Sequence, residues 1–177
     1  MRSSALCIIL GALWLAGCGA APRAYPPPVQ RPAEAGPQRD WRAPLIDMAD
    51  PECPAYIVGG MREFAEGDGW RWTHERPELR FWLDRADGWR FRVDFRFPAA
   101  NFKVTGPVTV AVSINGRLLD KVRYETPESH FIEKPVPAEW LRAGEETRVV
   151  MEIDPPWLDP GGAEKLGFVL YRVGFVR

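Results

Sequence analysis

Trp82 has the setting that most suggests chemistry. In the run Leu79-Arg80-Phe81-Trp82-Leu83-Asp84, Leu79, Phe81 and Leu83 take one face of a strand, and Arg80, Trp82 and Asp84 take the other. A solvent-facing indole offers a flat apolar surface to the C–H groups of a sugar, and the charged neighbours offer directional bonds to its hydroxyls. In the next alternating run, Arg90, Arg92 and Arg96 lie opposite Trp89, Phe91, Val93, Phe95 and Phe97. Were the two strands paired, Trp82, Arg80, Arg90, Arg92 and Arg96 would form one face, the candidate ligand-binding set. The alternative is that the guanidinium groups stack over Trp82 and seal the sheet surface.

Motifs for catalysis are missing. The chain has no G-x-S-x-G elbow, no glycine-rich phosphate loop and no Cys-x-x-Cys. His74-Glu75 lacks the second His of a zinc-protease helix, and His130 has no second His near it. No catalytic residue, cofactor or metal is expected, and a loop Ca²⁺ on Asp154 or Asp159 is left open. Trp70 and Trp72, two apart on a strand, are read as core residues, and Trp140 and Trp157 as caps on the ends of the fold. Asp50 and Glu52 flank Cys53 and would raise its thiol pKa, so it is read as a packed free thiol and not a nucleophile.

Composition then sets the frame. The 177 residues carry 23 Lys+Arg and 24 Asp+Glu, a net charge of −1. That balance leaves no broad basic footprint for nucleic acid. Nine of the 18 prolines fall between Pro22 and Pro54, whereas all nine phenylalanines lie from Phe64 onward. The stretch Ala21–Asp40 has little to bury, so ordering it would not offset the backbone entropy lost. The expected layout is a leader over 1–17, a Pro-rich tether over 18–50 that folding does not require, and one domain over 51–177.

The leader has Arg2, an apolar stretch of 12 residues from Ala5 to Ala16, and the tetrad Leu15-Ala16-Gly17-Cys18. That stretch is short for a bilayer span. The tetrad resembles the lipobox of bacterial lipoprotein signal peptides. The resemblance implies cleavage before Cys18, lipidation of its sulfur and new amino group, and attachment to the cell envelope through the lipid. Gly19 after the cysteine implies the outer membrane. With Cys7 removed and Cys18 acylated, Cys53 has no partner for a disulfide within the chain.

From residue 55 the apolar period is two. Strands are expected at Tyr56–Met61, Trp70–His74, Glu78–Leu83, Trp89–Phe97, Val108–Ile114, Leu118–Tyr124, His130–Lys134, Thr147–Ile153 and Phe168–Val176. Asn115-Gly116 marks a tight hairpin. Ala138–Ala143 suggests one helical turn. Short strands at this spacing make an all-β fold, a single jelly-roll-like β-sandwich. From Val108 through Asn115-Gly116 to the turn at Val136–Gly144 and the closing Leu166-Gly167-Phe168, the order resembles galactose-binding-like modules of bacterial envelope and sugar-handling proteins. The resemblance implies a non-catalytic domain that binds a glycan or another envelope polymer. The alternative is a structural or assembly lipoprotein contacting an envelope protein.

The lipobox reading carries its own test. Cys18→Ser should abolish incorporation of labelled palmitate and leave the precursor uncleaved. Continued labelling of that variant would refute it.

Overall fold

The computed structural model describes residues 43–177 except residues 68 and 163. The leader, Cys18 and the tether up to residue 42 lie outside the described residues. Ten strands are present: β1 (Leu45–Asp47), β2 (Ile57–Met61), β3 (Arg71–Trp82), β4 (Arg90–Arg96), β5 (Val108–Ile114), β6 (Arg117–Tyr124), β7 (Ser129–Pro135), β8 (Glu146–Asp154), β9 (Trp157–Leu158) and β10 (Lys165–Val176). One α-helix among the described residues, α1, spans Ala99–Thr105. All strand pairs are antiparallel, along the path β6-β5-β8-β3-β10-β4-β7. The fold is the expected all-β sandwich.

Alternation builds the core. Phe91, Val93 and Phe95 of β4, Val108 to Ile114 in β5, Val149, Met151 and Ile153 of β8, and Phe168, Leu170 and Phe175 of β10 are all buried. Each such side chain contributes roughly 1.5–3 kcal/mol when removed from water. Phe175 is a hub, its ring centroid 5.4 Å from Phe81, 5.9 Å from Phe91 and 6.4 Å from Trp89. The Asn115-Gly116 turn has φ of 48° and 77°, as a tight hairpin requires.

The two strands expected at Trp70–His74 and Glu78–Leu83 are a single strand shared by both sheets. Residues from Arg71 to His74 pair with β10, and residues from Glu78 to Trp82 pair with β8. Pro77 sits at the crossing, where a residue without an N–H is tolerated. Gly60 of β2 faces this crossing with φ +70°, and a Cβ there would lie 2.2 Å from the Arg76 carbonyl oxygen. A close backbone approach thus fixes the glycine.

Two strands and one α-helix are additional to those expected. Helix α1 follows an extended Pro98 and ends at Gly106, φ +73°. Two-residue β9 is too short for any period to show. Strand β1 corrects the tether boundary at residue 50. Leu45, Ile46 and Asp47 pair with Gly174, Val173 and Arg172 of β10, and Ile46 and Met48 are buried at 3% and 0% exposure. Gly174 makes the pairing possible, because a Cβ there would meet the Pro44 carbonyl oxygen at 2.1 Å.

The chain begun at Pro51 loses two buried side chains and uncovers an edge of β10. It should lose about 3 kcal/mol or more, a fall in melting temperature on the order of 10 °C, relative to the chain begun at residue 43. Equal melting temperatures for the two would show that β1 is dispensable.

Candidate functional site

Beyond Leu170, β10 no longer pairs with β3. β3 runs on beside β8, while β10 runs on between β1 and β4. The C-terminal ends of the two strands, with the residues that follow them, line a cleft of about 720 Å³. Trp82, Leu83 and Asp84 line it from β3, and Phe175, Val176 and Arg177 from β10. Trp89, Pro44 and Gly144 complete the rim.

The walls are pinned by short hydrogen bonds. Gly144 N–H donates to the Leu83 carbonyl at 2.7 Å, and Phe175 N–H to the Pro44 carbonyl at 2.7 Å. Trp89 Nε1 donates to the Arg85 carbonyl at 3.0 Å. One guanidinium nitrogen of Arg177 donates to both carboxylate oxygens of Asp84, at 2.6 and 2.8 Å. The Arg177 guanidinium also lies 4.4 Å from the centre of the Trp89 ring, a cation–π distance. Hydrogen bonding from Arg177 is the main reason the Asp84 carboxyl is held below its ordinary range.

Trp82 is half-buried, with the Arg80 guanidinium 5.5 Å from its ring centre. Arg80 is held by a 2.9 Å bond from its Nε to the Ala55 carbonyl and is not a lining residue of the cleft. Strand parity places Trp82 with Arg80 and Asp84 as expected.

The arginine stripe lies elsewhere. β4 pairs with β10 and β7, not with β3. Since Phe81 and Phe91 both point into the core between the sheets, Trp82 and Arg80 stand on the outer face of one sheet and Arg90, Arg92 and Arg96 on that of the other. The structure does not bring the two groups together. Arg90 and Arg92 are bound by Glu133 at 2.8 and 3.2 Å, and Arg92 and Arg172 by Asp94 at 3.1 and 2.7 Å. Arg96 is exposed at the end of this network.

Trp70 and Trp72 also differ from expectation. Arg71 and Thr73 face inward, at 6% and 0% exposure, which turns Trp70 and Trp72 outward. Trp72 stacks on Trp157 at 6.3 Å and 21°, and meets Trp70 edge-on at 6.2 Å. This satellite cluster flanks Val169 and Leu166, the β10 partners of Trp72 and Trp157. Both are buried yet outside the main core. Trp140 packs half-buried against the core, as a cap does. Cys53 is fully buried, and burial is the main cause that pushes its thiol up, against the opposing pull of Arg71. Among the described residues no group of three or more His, Cys, Asp and Glu is arranged to hold a metal.

The sequence names Trp82 as a site residue and sets Asp84 on the same strand face, but does not mark Trp89, Phe175 or Arg177 as site residues. Trp89 and Phe175 carry only the signal of core positions, and nothing in the pattern around Arg177 marks it.

No family model and no curated protein matches the chain. Solved structures similar to it include a family 35 carbohydrate binding module from an environmental isolate, with 10% identity and a TM-score of 0.48 over 75% of this chain and 92% of that one. A family 35 carbohydrate binding module from Clostridium thermocellum has 8% identity and a TM-score of 0.45 over 75% and 98%. An acetyl xylan esterase from the rumen bacterium Butyrivibrio proteoclasticus has 9% identity and a TM-score of 0.46, over 75% of this chain and 33% of that one.

The Asp84–Arg177 pair gives a measurable titration. A carboxyl held low by a cation contributes stability above its unfolded pKa and loses it as pH falls through its folded pKa. The NMR midpoint for Asp84 should lie below the ordinary 3.8 and return toward it in Arg177→Gln. An Asp84 midpoint that ignores the substitution would show that the pair does not form in solution.

Proposed function

We propose that this chain is a non-catalytic, lipid-anchored envelope protein whose sandwich binds a glycan in the end cleft. The observation that carries the reading is Trp82, half-buried in a cleft of about 720 Å³ beside the Asp84–Arg177 pair. The volume lies within the roughly 300–1,000 Å³ common for small-molecule sites. An indole supplies stacking area for the apolar face of a pyranose, while the carboxylate and guanidinium supply acceptors and donors for its hydroxyls. Arg80, tied to the Ala55 carbonyl, lies 5.5 Å from the centre of the indole and restricts it, so less side-chain freedom is lost on binding. The stripe Arg90, Arg92 and Arg96 takes no part in this reading, since it lies on the outer face of the other sheet, where Arg90 and Arg92 pair with Glu133 and Asp94.

Anchoring rests on the Leu15–Cys18 tetrad. Several acyl chains on Cys18, at about 0.8 kcal/mol per buried CH₂, would hold the protein firmly to a membrane. The segment between Cys18 and β1 would then set how far the cleft reaches from the lipid surface.

Trp82→Ala tests the cleft. Loss of a stacking indole should weaken glycan binding about thirtyfold, equivalent to about 2 kcal/mol, with a fall in melting temperature of only a few degrees. Glycan-array binding by the full chain, followed by calorimetry on the variant, gives both readouts. Unchanged affinity in a folded Trp82→Ala protein would remove the cleft from consideration.

A further inference from the structure

The charge of the cleft points to the class of glycan, and this inference rests on the glycan reading above. Asp84 and Arg177 are the only charged side chains among the residues that line the cleft. They are bound to one another through both carboxylate oxygens, so their charges cancel where a ligand would sit. The remaining lining side chains are apolar or aromatic. We infer that the cleft selects neutral saccharides and discriminates against uronates and other anionic sugars.

Electrostatics makes the selection two-sided. An anionic sugar entering the cleft meets the Arg177 guanidinium only by drawing it away from Asp84, and then stands beside a carboxylate that keeps only Arg85, 3.8 Å away. Like charges so placed repel, and the lost pair is not replaced by a better one. A neutral sugar needs no such exchange. Its hydroxyls can accept from the guanidinium N–H groups not directed at Asp84 and donate to the lone pairs of the carboxylate. The pair also bridges β3 to the end of β10 and keeps the guanidinium against Trp89 at 4.4 Å. Trp82 is thus left as the stacking surface, and the Asp84–Arg177 pair as the polar one.

Asp84 is therefore the residue that sets specificity, and its side chain is 63% exposed. An Asp84→Asn chain should accordingly stay folded, which a thermal melt checks. The probes are neutral tetrasaccharides of glucose, galactose and xylose, set against tetragalacturonate, each titrated into the full chain. The wild-type chain should bind at least one neutral tetrasaccharide with little dependence on salt, and tetragalacturonate at least tenfold more weakly. In Asp84→Asn the guanidinium loses its counter-charge. Tetragalacturonate should then gain about tenfold, an amount that fades as salt is raised, while the neutral ligand changes less. Preference of the wild-type chain for tetragalacturonate would overturn the inference and leave the glycan reading standing. Failure of every saccharide to bind a folded wild-type chain would overturn both. Equal behaviour of the two ligand classes in wild type and Asp84→Asn would show that the pair sets no specificity.

Discussion

Strand β3 belongs to both sheets, and the rest of the structure depends on that sharing. Its first residues pair with β10 and its last with β8, so one continuous backbone holds the two layers together at one side. Side-chain parity survives the crossing. Thr73, Leu79, Phe81 and Leu83 all face inward and are buried, although the strand changes partners between them. Pro77 and the close approach of Gly60 to the Arg76 carbonyl are the local means of the change. The end of the β8-paired half of β3 and the end of β10 both border the cleft.

The outer faces of the two sheets manage charge differently. On the β4 face, Arg90, Glu133, Arg92, Asp94 and Arg172 form a continuous chain of ion pairs. Such half-exposed pairs add little stability singly, but together they leave a face whose charges are already matched. On the β8 face, Arg148 pairs with Glu78 and Glu146, and Arg76 with Glu152. At the cleft the single pair Asp84–Arg177 stands against apolar walls.

How far the sequence was legible follows from the physics of strands. Period two is a local signal, so the core faces of the Leu79–Leu83 part of β3 and of β4, β5 and β8 were readable from their alternation, as was the Asn115-Gly116 turn. Pairing is not local. Nothing in the runs around Trp82 and Arg92 says that one strand joins β8 and the other β7, and so the expected shared face of Trp82 and the arginine stripe did not form. Parity alone also cannot say which face of a short strand is inside. Arg71 and Thr73 turn inward because Thr73 Oγ1 exchanges hydrogen bonds of 2.9 and 3.0 Å with the Phe168 backbone, filling the bulge in β10. Strand β1, three residues long and next to a Pro-rich stretch, has no period to detect; its place depends on Gly174, far along the chain.

The cleft and the core are mechanically one unit. Its floor is Phe175, whose ring is held edge-on by Phe81, Phe91 and Trp89, and whose N–H is bound by the Pro44 carbonyl at the head of β1. A floor made from close-packed core side chains does not yield by small amounts. Reshaping the site therefore requires either the rim residues beyond it, Asp84 and Arg177, or the loss of β1. The first are about half-exposed or more and are held by side-chain contacts alone: their ion pair, Arg85 beside Asp84, and Trp89 against the guanidinium. The second would disturb Ile46 and Met48 as well. Adaptability is thereby confined to the polar pair, and the aromatic surface that gives stacking area stays preorganised.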